Sequence, residues 1–272
     1  MLKVKNLSLV KSRGNVLQDI SLEIPEKRIS LLLGKSGSGK TSILRCIAQL
    51  ENPYIGEIVI NEQPVKAMNS RERSQSIGFV PQFFALFPHL RIRDNCLQPL
   101  RLTGLSKEAA EKKVDATLES LNIGNLADRK PHELSGGQQQ RAVIARALVL
   151  DPSFLLFDEP TSALDPENTE LFIGILRQLR SKGIIIASQD MAFAAKVLDR
   201  AFFMENGELL ERYDGGLLPL ESKLGQFLGD KDLVNKYLGS TSRELDEPVN
   251  PTLVQQDYAI TGVHRDHFGD RC

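Results

Sequence analysis

Six residues of buried character, Arg28 to Leu33 (RISLLL), run directly into Gly34-Lys35-Ser36-Gly37-Ser38-Gly39-Lys40-Thr41 (GKSGSGKT), and helical spacing begins at Thr41. A strand that ends in such a turn and restarts as a helix constrains the fold more than any other feature of the chain. The glycines let successive backbone N–H groups point inward at a helix N-terminus, where they form a nest for an anion. In that setting Lys40 reaches a β- or γ-phosphate and the Thr41 hydroxyl can ligate Mg²⁺. At ordinary residue usage the pattern would arise by chance in about one chain of this length in a hundred, and its place between strand and helix makes chance rarer still.

The rest of the chain alternates strands with helices, which argues for a mostly parallel sheet. Residues 2 to 10 and 20 to 24 read as strands joined by a polar turn, with further strands at GEIVI and SIGFV. The helix from Thr41 is predicted to carry Ile43, Leu44, Ile47 and Leu50 inward. From about 83 to 150 the pattern is helical, with Ala110, Val114, Leu118 and Leu121 on one face. FLLFD is a buried strand, and a helix from about Pro166 to Arg180 is predicted to bury Leu171, Ile175, Leu176 and Leu179. The run Ile184-Ile185-Ile186 forms a strand buried on both faces. Asn206-Gly207 supplies the positive φ of a hairpin turn. Past Tyr213, Leu224, Phe227 and Leu228, then Leu233, Tyr237 and Leu238, predict two short amphipathic helices, followed beyond Gly239 by a polar tail expected to be disordered.

Composition bounds the partners. The 34 basic and 35 acidic residues give a net charge of -1, which provides no footprint for nucleic acid. Three cysteines in 272 residues fit a reducing, cytoplasmic compartment better than a disulfide framework. No apolar run is long enough to span a bilayer, so any membrane work needs another chain to do the spanning. His264, His267 and Cys272 lie in the polar tail at loose spacing, as a solvated terminus would place them. His89 and His132 require no special role.

Two further strings carry chemistry. FLLFDEP delivers Asp158 and Glu159 to a strand end, where ligands sit in open parallel sheets. There Asp158 can hold a metal through water, and Glu159 can orient or deprotonate an attacking water. Leu134 to Arg141 (LSGGQQQR) sets Ser135, Gly136 and Gly137 before a helix as a second backbone anion site, which implies a second phosphate contact.

LSGGQQQR followed by FLLFDEPTSALD resembles the signature of ATP-binding cassette (ABC) ATPases, and the likeness covers about residues 1 to 211. It implies a P-loop NTPase fold of ABC type: a mostly parallel sheet core with an antiparallel β subdomain and an inserted helical subdomain at about 83–150, then a C-terminal extension over 212–272. Gly34 to Thr41, with Ser42 after it, takes the Walker A place, Gln82 the Q-loop, Leu134 to Gln138 the signature, Phe154 to Glu159 Walker B and the catalytic acid, and Ser162 to Asp165 the D-loop. The likeness implies ATP and Mg²⁺ as ligands, the metal near Thr41, Gln82 and Asp158. It further implies a head-to-tail dimer in which each ATP lies between one chain's Walker A and the other's Ser135, Gly136, Gly137 and Gln138.

Two positions depart from the family pattern. Gln189 stands where a histidine normally meets the γ-phosphate, and glutamine keeps an amide donor but cannot carry a proton or a charge. Slow but real turnover is expected, with Lys40 and Glu159 intact. Arg13 occupies the place of the usual adenine-stacking aromatic, and either stacks through its guanidinium plane or is an exposed arginine in a turn. Phe83, Phe84, Leu86 and Phe87 after the Q-loop are either core or the lining of a groove for a membrane subunit's helix. The chain looks most like the energising subunit of importers for polar amino acids, peripheral on the inner membrane face through multi-span permease subunits and served by a solute-binding protein. A slow regulatory ATP switch, an exporter or lipoprotein-type ATPase, and a soluble non-transport cassette remain as alternatives.

Overall fold

The computed structural model describes residues 1–12, 14–215 and 221–228. Ten strands are β1 (Leu2–Lys11), β2 (Gly14–Ile24), β3 (Ile29–Leu33), β4 (Ile55–Ile60), β5 (Gln63–Pro64), β6 (Ile77–Val80), β7 (Phe154–Asp158), β8 (Gly183–Ser188), β9 (Arg200–Glu205) and β10 (Glu208–Tyr213). The α-helices are α1 (Lys40–Ile47), α2 (Ser70–Ser76), α3 (Ile92–Leu97), α4 (Lys107–Ser120), α5 (Gly136–Leu148), α6 (Pro166–Gln178), α7 (Met191–Val197) and α8 (Lys223–Leu228).

Strands β10-β9-β3-β8-β7-β6 form a six-stranded sheet, parallel from β9 to β6, with β10 turned back on β9 through Asn206 and Gly207. A second, antiparallel sheet has the order β2-β1-β4-β5. Strands β3, β7 and β8 are buried at every position, as strands covered on both faces must be. Their alternate residues feed two separate cores. Leu31, Leu33, Ile184 and Ile186 pack with α3 to α7 on one face; Leu32, Ile185 and Ala187 pack with α1 and the antiparallel sheet on the other. Helix α1 is thereby clamped between the two sheets through Ile43, Leu44, Cys46 and Ile47, and this fixes the turn that precedes it.

Cys46 and Cys96 serve packing. Burial pushes both thiols up to about 12, far from the thiolate that reactivity needs.

Helices α3, α4 and α5 make up the region expected to be helical, and Ala110, Val114, Leu118 and Leu121 are buried as their spacing predicts. Two other expectations are corrected. Leu50 is 62% exposed, because α1 stops at Ile47 and Gln49 turns the chain through a φ of 58° before that leucine can rejoin the helix face. Leu171 is 38% exposed; the ridge of α6 that enters the core is Phe172, Ile173, Ile175 and Leu176, leaving Leu171 at its rim.

The predicted helix around Leu224 exists as α8. Leu224 and Leu228 enter the same core as the parallel sheet, and the Phe203 and Phe227 rings meet at 4.9 Å. Both carboxylate oxygens of Glu211 cap it, accepting from the N–H groups of Lys223 (2.7 Å) and Leu224 (2.8 Å). The predicted helix around Leu233, Tyr237 and Leu238, the polar tail with its histidines and cysteine, and Arg13 all lie outside the described residues.

Candidate functional site

Strand register brings the site together. Leu33 lies beside Ser188, Ala187 beside Asp158, and Phe157 beside Val80, so Gly34, Gln189, Glu159 and Gln82 all leave one edge of the parallel sheet. That edge is where ligands bind in open α/β sheets.

At its centre is the turn before α1. Gly34 has a φ of 150°, and a Cβ there would fall 2.2 Å from the Met204 carbonyl oxygen, so no other residue fits. Lys35, Ser36 and Gly37 form the exposed tip of the turn. Gly39 precedes α1 and offers no side chain to cap it, which leaves the first N–H groups of the helix available to an anion. The Ser38 hydroxyl is buried and has no hydrogen-bond partner among the described residues. An unmet polar atom inside an N–H-lined cradle is the arrangement a phosphate would complete.

Lys40 is buried, and its Nζ donates to the carbonyls of Gly34 (2.7 Å) and Lys35 (3.0 Å). The same Nζ lies 3.6 Å from Oε1 of Glu159. Burial lowers the Lys40 pKa, and the Glu159 charge opposes that shift. Thr41 donates its hydroxyl to Oδ1 of Asp158 at 2.7 Å. Burial raises the Asp158 carboxyl, countered by the Thr41 hydrogen bond and by the charges of Arg45 and Lys40. Glu159 is also raised by burial and by Asp158, while Lys40 and the Gln189 N–H pull it down. A base raised toward neutrality is better placed to take a proton.

Glu159 adopts a φ of 45°, uncommon for a side chain of its size. Its N–H is fixed on the Ala187 carbonyl (2.9 Å), and its Oε2 accepts from the backbone N–H of Gln189 at 3.3 Å. The side chains of Gln189 and Gln82 are exposed and have no hydrogen-bond partner among the described residues. Thr161 donates to Oδ2 of Asp190 (3.2 Å), and Asp190 caps α7, so the turn after Glu159 and the end of β8 are tied together. Sequence reasoning missed Thr161 and Asp190, although an Asp directly before a helical stretch is a cap signal.

Ser135 to Gln138 stand apart from this cluster. No hydrogen bond or ion pair among the described residues joins them to Gly34–Thr41. Ser135 caps α5 and exchanges hydrogen bonds with Gln138 in a capping box. Gly136 is exposed, and a Cβ on it would approach nothing closer than the Ala163 oxygen at 3.9 Å; Gly137 is buried. Glycine is among the poorest helix formers, and at Gly136 no crowding by the described residues calls for it. Asp165 caps α6, with its carboxylate held by the Asn168 N–H (2.8 Å) and side-chain amide.

The aromatic stretch after Gln82 divides. Phe84 and Leu86 pack on the core, whereas Phe83 is 81% and Phe87 44% exposed. The loop carrying them is held in shape by buried Asn95, which accepts from the Phe87 N–H (2.7 Å) and donates to the carbonyls of Phe87, Leu90 and Arg91. Arg146 of α5 adds a hydrogen bond to the Ala85 carbonyl at 2.6 Å.

A phosphate turn closing a buried parallel strand, with two acids at the end of the strand next but one in the sheet and beside its lysine, is the apparatus of a P-loop nucleoside triphosphatase. A family model described as ABC transporter matches residues 17–162. The glutamate transport ATP-binding protein GluA of Corynebacterium glutamicum is 40% identical over 216 residues, covering 78% of this chain and 89% of its own. The glutamine transport ATP-binding protein GlnQ of Escherichia coli is 39% identical over 236 residues, covering 84% and 98%. Among solved structures, the dimeric bacterial ABC transporter cassette MJ0796 has a TM-score of 0.71 at 31% identity, over 79% of this chain and 98% of that one. A second structure of that cassette is a dimeric post-hydrolysis state with ADP and Pi bound. The chain belongs to the ABC transporter family and is an ATPase subunit of that family. Among the described residues no helix is long and apolar enough to cross a membrane.

Proposed function

We propose that the chain energises the import of polar amino acids: two copies close head to tail over two ATP molecules and drive separate, membrane-spanning permease subunits. The observation that carries this reading is the convergence of Lys40, Thr41, Asp158 and Glu159 beside an anion cradle with an unmet Ser38 hydroxyl. Relatives named for glutamate and glutamine transport support the substrate class.

In this reading the N–H groups of the Gly34–Ser42 turn and Lys40 hold the β- and γ-phosphates. Glu159 takes a proton from a water whose oxygen bonds to the γ-phosphorus as the bond to the bridging oxygen breaks, giving ADP and phosphate. Lys40 must leave Glu159 for the phosphates, which frees that carboxylate to act as base. The Gln189 and Gln82 amides reach the γ-phosphate and the water. Ser135, Gly136, Gly137 and Gln138 of the second copy close the far side, where the open face of Gly136 admits a phosphate oxygen, and Asp165 lies at the same junction. One carboxylate and one hydroxyl, Asp158 and Thr41, suit Mg²⁺, which takes one or two protein oxygens and leaves the rest of its shell to phosphates and water; Gln82 is a third donor. Bound there, Mg²⁺ would neutralise charge on the phosphates. Phe83 and Phe87 offer an apolar dock for a permease helix, with a solute-binding protein delivering cargo on the far side of the membrane and the chain itself peripheral on the cytoplasmic face. The domain division that accompanies this reading is an ATPase domain to about 211 and an extension beyond it.

Size-exclusion chromatography of the Glu159→Gln protein tests the core of it. With Mg-ATP the protein should run as a dimer; a strictly monomeric protein overturns the reading. A slow ATP switch is the second reading, favoured by Gln189, whose amide cannot take on the charge an imidazole can.

A further inference from the structure

Two successive glycines at the start of α5 are costly for a helix, and each needs its own reason. A Cβ on Gly136 would be crowded by none of the described residues, the nearest atom being the Ala163 oxygen at 3.9 Å. Gly137 is buried, and a Cβ on it would fall 2.0 Å from Oδ1 of Asn168. That amide is not free to swing aside. Its Nδ2 donates to both carboxylate oxygens of Asp165, at 3.0 and 2.9 Å, while the Asn168 N–H holds Asp165 Oδ1 at 2.8 Å. Those bonds stay within the start of α6; the hydrogen bond that crosses to α5 comes from the buried Gln140 side chain, which donates to the Pro160 carbonyl at 2.7 Å. From Pro160 the chain leads straight to Glu159, whose carbonyl accepts from the Ser162 hydroxyl at 2.9 Å.

We infer that Asn168, packed against Gly137 and bonded to Asp165, is a positioning residue through which displacement of the Ser135–Gly137 turn reaches the segment bearing Asp165, and so Glu159, within the same chain. Besides any nucleotide contact, Asn168 occupies the space a side chain at Gly137 would need. The inference rests on the ATP-sandwich reading above and adds a route in cis: a nucleotide gripping the signature turn of one copy shifts the acid of that same copy.

The test is suppression. In the full-length Glu159→Gln background, the ATP concentration for half-maximal dimerisation is measured by light scattering for the parent, Gly137→Ala, Asn168→Ala and the double variant. Gly137→Ala should raise that concentration about tenfold, since its methyl group pushes the Asn168 amide off Asp165, Asn168→Ala alone about threefold through loss of the link, and the double variant should be no worse than Asn168→Ala alone. A double variant as poor as Gly137→Ala alone overturns the inference and leaves the nucleotide as sole reason for the glycine. A parent that never dimerises removes the sandwich reading and the inference together. Asn168→Asp tests the lock without touching the helix. It keeps the size but sets a second carboxylate against Asp165, and should raise the ATP requirement with no loss of melting temperature; a requirement equal to the parent's overturns the inference.

Discussion

The floor and the rim of the site differ in how much of their chemistry is already satisfied. On the floor, Lys40, Thr41, Asp158 and Glu159 are cross-bonded at 2.7 to 3.6 Å and largely sealed from water. At the rim, Gln82 and Gln189 extend exposed amides, and Gly136 presents bare backbone. The floor owes its order to buried strands that leave their end residues no freedom. The rim's backbone is ordered by the Ser135 capping box and the Thr161–Asp190 tie, but the Gln82 and Gln189 side chains it carries have no hydrogen-bond partner among the described residues. Charge is therefore preorganised where it must be desolvated, which is costly at the moment of reaction, and the proposed nucleotide sandwich would be completed by the rim groups.

The largest effect should come from the floor. Glu159→Gln is expected to lower steady-state phosphate release by about 10²- to 10⁴-fold, the usual worth of a general base, while equilibrium dialysis still detects ATP. A loss below about tenfold would mean that proton transfer is not made there. Lys40→Ala comes next. Losing a hydrogen bond to a charged group costs about 1.5–3 kcal/mol, so ATP should bind about tenfold to a hundredfold more weakly in a fluorescent-nucleotide titration. The rim is probed by Gln189→His. A complete γ-phosphate contact is worth about 3 kcal/mol, or a hundredfold, and glutamine retains part of it. The substitution should raise turnover by about threefold to thirtyfold; an unchanged or lower rate would show that the end of β8 acts through its backbone N–H on Glu159 alone.

The same floor was the more legible part of the sequence, for a physical reason. Asp158 ends buried β7 and Glu159 follows it, while Lys40 and Thr41 open α1 just after the glycine turn that leaves β3, so a buried run and a short local motif place all four without knowledge of the fold. Periodicity reads a helix face but not its end, which is why Leu50 was counted on α1 although Gln49 turns the chain out first. It also blurs ridges one residue apart, as with Leu171 and Phe172. Phe83 and Phe84 look alike in a string, and only tertiary packing separates the exposed ring from the covered one. The ties of Thr161 to Asp190, of Gln140 to Pro160 and of Asn168 against Gly137 join elements distant in sequence, and no local pattern announces them.

The smallest effect concerns the unmet charge of the floor itself. Burial raises the Asp158 carboxyl above its ordinary value, and the Thr41 hydroxyl with Arg45 and Lys40 offsets only part of that shift. A carboxyl raised in the folded state takes up its proton more readily there than in the unfolded chain. Its contribution to stability is complete below the ordinary aspartate value of about 3.9 and is lost as pH rises through the folded value. At neutral pH the folded protein thus carries a charge it would be more stable without. Asp158→Asn removes the charge and keeps the shape, so without nucleotide it should melt higher at pH 7, by about 2–4 °C for each kcal/mol relieved, and the gap should close as pH falls toward 4. With Mg-ATP the order should reverse, because in the proposed site only the parent keeps the carboxylate bonded to Thr41 that would hold the metal. A variant that melts no higher than the parent at neutral pH would mean that Lys40, Thr41 and Arg45 already satisfy Asp158, and that the floor's carboxylate carries no unmet charge.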